Sequence, residues 1–222
     1  MMRIIITGAS GLIGSETLRM ALDHREVSAV TALVRRPLQI SHPKLEVVIH
    51  EDFLNYDQLG ELFANHEACI WCLGISQSRV SATEYFIITH DYALAAARAA
   101  CHFNPGMVFS FVSAMGADPA GRSPVRFARV KGQTERALEG VGFHQLNIFR
   151  PGAVLHNSGQ KQPGLYKYAE RLMMRSFSLI FPSLSISVAN LARIILNITV
   201  AGGPGRIYHQ AELSKLSQTA ET

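Results

Sequence analysis

Phe127 and Lys131, in the stretch FARVK, stand four residues apart. On a helix that spacing puts both side chains on one face, a turn from each other. A tyrosine in place of Phe127 would form with Lys131 a proton-donating pair, suited to general acid catalysis. Here the ring is present and the hydroxyl is missing. No other register supplies it. The lysines are Lys44, Lys131, Lys161, Lys167 and Lys215, and four residues before each stand Ile40, Phe127, Asn157, Pro163 and Ala211.

A second set of residues addresses phosphate. TGASGLIG carries glycines at 8, 11 and 14, directly after the β-branched run RIIIT and before a stretch of helical spacing. In that context Gly8 permits a tight turn, and Gly11 lets backbone amides approach a pyrophosphate. Gly14 lets the helix pack closely on the strand, while the helix N-terminus faces the phosphates. The pattern predicts dinucleotide binding. A carboxylate about twenty residues after such a loop would hold the ribose hydroxyls of NAD. The second strand instead ends ALVRRP, with no carboxylate at its end. The guanidiniums of Arg35 and Arg36 suit a 2′-phosphate, and the expectation is NADP over NAD.

Elements must hold these groups in place. Six apolar runs read as strands: RIIIT, AVTALV, LEVVI, ACIWCL, MVFSFVS and HQLNIFR. Between them LIGSETLRMALDH, YDQLGELFANH, ATEYFIITHDYALAAARAACH and PVRFARVKGQTERALEG read as helical. Strands that are apolar throughout and alternate with helices predict an α/β protein, a doubly wound parallel sheet covered on both faces. After Gly152 the pattern turns irregular. LHNSGQKQPG reads as a loop, LYKYAERLMMRSF and SVANLARIILNITV as helices, and SKLSQTAET as a frayed end. Residues 1–222 read as one domain, with 151–222 a small C-terminal substrate-side lobe that is not independent.

Composition narrows the partners. A charge of +4 in 222 residues, with no basic run longer than Arg35–Arg36, predicts no nucleic-acid partner. Pro182, Asn190 and Arg193 interrupt the most apolar late stretch, so no membrane span is expected. The apolar run at the N-terminus is too short for an export signal, and with three cysteines a reducing, cytoplasmic setting is expected. Cys69 and Cys72 form a CxxC on a strand, where the thiols would point to opposite faces. The nine histidines are spread singly, and HED at 50–52 lacks a second ligand pair, so no metal is expected.

The ordered set TGASGLIG, LVRR, EDF, CLG, THDYALAAARAA, FSFVSAMGAD, FARVKGQTE and FRPG resembles the atypical branch of the short-chain dehydrogenase/reductase superfamily. Within it the chain looks most like the Tat-interacting-protein type of NADPH-binding oxidoreductase. The resemblance covers nearly the whole chain and implies a Rossmann fold. It would place Gly8, Ser10, Gly11, Leu12, Ile13 and Gly14 at the phosphates and Arg35 and Arg36 at the adenosine ribose. Asp52 and Phe53 would line the adenine pocket, and Leu73 and Gly74 would run along the cofactor. Ser113 would be the active-site serine, and Lys131 would bind the nicotinamide ribose. Arg150, Pro151 and Gly152 would lie beside the nicotinamide. In the family that lysine lowers the pKa of a tyrosine, and Phe127 breaks the pair. Three readings follow. An oxidoreductase of a small carbonyl or quinone compound could use another donor: Ser113, a water on Lys131, Tyr166 or Tyr168. An NADP(H)-binding redox sensor could report to a partner protein without turnover. An epimerase or dehydratase is the third, although that chemistry also relies on the tyrosine. The resemblance leaves monomer and homodimer both open.

Overall fold

The computed structural model describes residues 1–155 and 184–219. The expected helix LYKYAERLMMRSF, with Tyr166 and Tyr168, lies outside them.

The run IIIT forms a strand because both its faces find cover. In β1 (Met2–Thr7), Ile4 and Ile6 enter one apolar cluster and Ile5 the other, all fully buried. Around it lie β2 (Val27–Val34), β3 (Leu45–Ile49), β4 (Ala68–Trp71), β5 (Val108–Val112) and β6 (Gln145–Arg150). A seventh strand closes the edge in the order β3-β2-β1-β4-β5-β6-β9, all parallel. It is β9 (Ile207–His209), beyond a separate pair β7 (Ala153–Leu155) and β8 (Ser185–Ser187). Strand order reverses between β1 and β4, and there a doubly wound sheet opens a crevice at its carboxyl ends.

On one face α1 (Leu12–Asp23) packs against α6 (Val188–Ala201), with Leu18, Leu22, Leu191 and Ile195 in the shared core. The other face carries α2 (Gly60–Ala64), α4 (Tyr92–Phe103) and α5 (Arg126–Glu139). Ala93, Ala96, Ala97 and Ala100 are buried, and their small side chains bring α4 close to Trp71, Phe109 and Phe111. The doubly wound parallel sheet is thus as expected, and so is the position of all six strands.

Three features depart from the sequence reading. The long helix at 82–102 is α3 (Ala82–Phe86), a π-helical turn at Ile87–Asp91, then α4. Residues 214–219 of the end read as frayed belong to α7 (Gln210–Thr219), which follows β9. Only Asp57–Ala64 of YDQLGELFANH is helical, and its first turn is a 3₁₀ turn. Cys69 and Cys72 do lie on opposite sides of the sheet. Burial pushes both thiols up, Cys72 to about 12. No helix among the described residues is long and apolar enough to cross a membrane.

Candidate functional site

The glycine loop sits at the strand-order reversal. Gly8 has φ +66°, and a Cβ there would fall 2.6 Å from the Cys72 carbonyl oxygen at the end of β4. At Gly14 a Cβ would fall 2.2 Å from the Gly8 carbonyl oxygen. Both glycines are therefore required by backbone contact. Gly11 is the N-cap of α1; its N–H donates to the Gly8 carbonyl at 2.8 Å. No side chain caps this end, and its first turn holds no acid. The first-turn amides, at the positive end of the helix dipole, are left for an anion. Ser10 and Gly11 are exposed, with Leu12 and Ile13 half-buried behind them. Across the crevice the Leu73 N–H donates to the Thr7 hydroxyl at 3.3 Å, tying β4 to β1. A Cβ on Gly74 would meet nothing within 4 Å.

At the ends of β2 and β3 the expected residues separate. Arg35 and Arg36 are exposed. Asp52 is exposed too, and its carboxylate accepts the Leu54 N–H at 3.0 Å. Phe53 turns the other way. Its ring is fully buried among Tyr56, Trp71 and Tyr92.

At the ends of β5 and β6 the structure gathers Ser113, Lys131 and Arg150. Lys131 Nζ donates to the Val112 carbonyl at 2.8 Å and lies 4.6 Å from the centre of the Phe111 ring. Burial pushes its ammonium down to about 8, against the opposing pull of Glu135 and Cys72. The Ser113 hydroxyl donates to Glu135, which is fully buried. Arg150 closes on the same carboxylate, its Nε donating to the two oxygens at 3.0 and 3.2 Å and a terminal nitrogen to Oε2. Those bonds raise the Arg150 pKa. The Pro151 carbonyl accepts the Met115 N–H at 2.7 Å, and the Gly152 N–H donates to the Gln210 side chain at 2.7 Å. Phe127 is half-buried, and its backbone N–H donates to Gln77 Oε1 at 3.1 Å.

Glu135 and Gln77 did not stand out in the sequence. The one signal for Glu135 is its place four residues after Lys131, on the same helix face. Gln77 had none: it caps α5 from a loop 50 positions away.

Residues 8–200 match the family described as NAD(P)H-binding. Protein HTATIP2 of Rattus norvegicus is 30% identical over 212 residues, covering 92% of this chain and 84% of the rat protein. The Bordetella bronchiseptica enzyme WbmH, solved with NAD+, is 18% identical at a TM-score of 0.69, over 94% of this chain and 75% of that one. A short-chain dehydrogenase from Burkholderia cenocepacia, solved with NADP, is also 18% identical at 0.69, over 99% and 92%.

These comparisons overturn the expectation of NADP over NAD. WbmH, WbmF and WbmG, which share the fold, are all complexes with NAD+ or NAD, against one with NADP in the Burkholderia enzyme. The physical reason lies in the side chains from which the preference was read. Arg35 and Arg36 project into solvent, and a charge at a strand end does not by itself fix a phosphate position. NAD stands at least level with NADP. The family match and the likeness to the rat protein bear out the resemblance: this chain belongs to the NAD(P)H-binding family, as an atypical short-chain-dehydrogenase-like protein of Rossmann fold.

Proposed function

We propose that this chain is an NAD(P)(H)-dependent oxidoreductase whose hydride acceptor is a small quinone in preference to an aliphatic carbonyl. The residues present suit the dinucleotide: an uncapped, acid-free helix end, and open space at Gly74. Gly8, Ser10, Gly11, Leu12, Ile13 and Gly14 would hold the diphosphate. Arg35, Arg36 and Asp52 would lie at the adenosine end, and Leu73 and Gly74 along the middle. Lys131 would bind the nicotinamide ribose, with Ser113, Arg150 and Pro151 beside the ring. When bound, the nicotinamide supplies or accepts a hydride.

One observation carries the choice of acceptor: the Ser113 hydroxyl gives its hydrogen to Glu135. At the family's tyrosine and serine positions, Phe127 has no proton to give and Ser113 has committed its own. An aliphatic ketone that takes hydride becomes an alkoxide, comparable with the anion of water, whose pKa is about 15.7; it needs a proton in the same step. A quinone becomes a phenolate, whose conjugate acid is near the tyrosine value of about 10. That anion leaves without a protein acid and takes its proton from solvent. The same observation favours a second reading, binding of NAD(P)(H) without turnover.

The test is NADH and NADPH oxidation across a panel of quinones and aliphatic ketones. Quinones are expected to turn over at least about tenfold faster. Phe127→Tyr is expected to raise ketone reduction by about 10²–10⁴, the usual worth of a general acid, with little change for quinones. Coenzyme binding with no oxidation by any quinone would leave the non-catalytic reading. Faster ketone than quinone reduction in the unaltered protein would refute the choice of acceptor.

A further inference from the structure

Glu135 has no exposed surface, yet it lies where three strand and helix ends meet. On α5 it is one turn after Lys131. From the end of β5 the Ser113 hydroxyl reaches it, and from the end of β6 the Arg150 guanidinium. Oε1 accepts Ser113 and Arg150 Nε; Oε2 accepts the Arg150 terminal nitrogen. Both carboxylate oxygens are thus engaged by protein donors. A buried ion pair seldom adds net stability over an apolar packing of the same shape, so this one is poorly explained as a fold staple. Its position beside the proposed ribose and nicotinamide contacts explains it better.

We propose that Glu135 is a positioning residue of the site: its carboxylate turns the Ser113 hydrogen inward, anchors Arg150 at the end of β6, and is the counter-charge that sustains the Lys131 ammonium. Among the described residues, the groups facing Lys131 are Glu135 on its own helix, Cys72 after β4, and the Phe111 ring and Val112 carbonyl of β5. Glu135 is the only carboxylate among them. Remove that charge and burial acts on Lys131 with its strongest opponent gone. Ser113 changes role by the same contact. With its hydrogen held by Glu135, the oxygen presents lone pairs to the crevice and acts as an acceptor. The functional consequence rests on the proposed function, but the charge relation is measurable with no coenzyme present.

The test is the titration of Lys131 in the protein without coenzyme, by trace acylation with acetic anhydride at a series of pH values, read by mass spectrometry. The unaltered protein is expected to show a midpoint of about 8. In E135Q the midpoint should fall by about 1 unit or more, the usual reach of a close opposite charge. E135D keeps the charge and should restore most of the shift. A purely structural Glu135 would make both variants less stable without separating their midpoints. An unchanged midpoint in folded E135Q overturns the proposal. Should E135Q not fold, proton NMR of the unaltered protein and of S113A decides. A buried, slowly exchanging hydroxyl resonance is expected in the first and absent from the second; its absence from both overturns the proposal. If NADH and NADPH fail to bind at any pH while Lys131 titrates as expected, the proposed function falls and the role of Glu135 at Lys131 stands.

Discussion

Lys131 is one group through which pH acts on the stability of this protein. Its ammonium is held near 8 in the folded state, against an ordinary 10.5. Between those values the unfolded chain binds more protons, so folded-state stability rises as pH climbs through the window. Below about 8 the penalty of burying the charge is present in full. The gain is at most about 3 kcal/mol, and Lys131→Met should abolish it. Denaturant unfolding at pH about 7 and about 10 measures it as a difference between the two proteins. That difference cancels Cys69, whose raised thiol acts with the opposite sign above its ordinary value of 9.0. Equal pH slopes in the two proteins would show that the ammonium is not buried at a cost. Gly8 makes a second claim at this scale. Gly8→Ala must hold φ +66° and place a methyl 2.6 Å from a backbone oxygen. A loss of about 2–4 kcal/mol is expected, together with NADH binding; an unchanged melting temperature would contradict the contact. Gly8 was legible in the sequence because its backbone demand follows from the strand before it and the helix after it. Glu135 was not, because its partners lie 22 and 15 residues away and meet it only in the folded chain. Arg35 and Arg36 were legible as charges but not as contacts.

At the scale of elements α5 offers a contest between two effects of known sign. Helix propensity alone says that Gly132→Ala should stabilise by about 1 kcal/mol. Against it stands the backbone of the loop after β5: a Cβ on Gly132 would lie 2.1 Å from the Asp118 carbonyl oxygen and 2.0 Å from its carbon. That loop is rigid. The Asp118 carboxylate accepts N–H groups from Ala120, Arg122 and Ser123, which hold it below the usual carboxylate range. The clash should win, and Gly132→Ala should melt earlier than the unaltered protein; a later melt would mean that the loop yields. At the other end of α5, Val125 cannot cap the helix and Gln77 does so from a distance. Gln77→Ala should cost about 1 kcal/mol, as for loss of a local cap, with the loop after β4 exchanging its amides faster. The six strands of the sequence reading were legible because burial on both faces writes unbroken apolar runs. β9 was not, since three residues carry no periodicity. The π turn at Ile87–Asp91 hid inside an apolar helix whose repeat differs from it by a single residue.

For the whole molecule the question is where the dinucleotide domain ends. The sequence changes character after Gly152, and residues 151–222 read as an appended lobe. The described part of that stretch adds to the sheet and to its cover. β9 pairs in parallel with β6 through Ile148, Phe149 and Arg150, and Tyr208 stacks on Phe149 at 5.1 Å. α6 covers α1 with Leu191 and Ile195 fully buried and Leu196 and Ile194 nearly so. The Thr199 hydroxyl meets Ser110 of β5 at 2.8 Å. The family match runs to residue 200, through α6. Four large aliphatic side chains lost from a core cost about 6–12 kcal/mol, as much as the whole stability of an ordinary domain, about 5–15 kcal/mol. A chain ending at residue 183 should therefore show no cooperative thermal transition and bind no NADH, although it retains every proposed coenzyme contact. Circular dichroism on heating and a fluorescence titration measure both. A truncated protein that melts cooperatively near the full-length temperature would show residues 184–222 to be detachable. One that folds yet fails to bind would mean that α6 and β9 set the geometry of the crevice without being needed to build it.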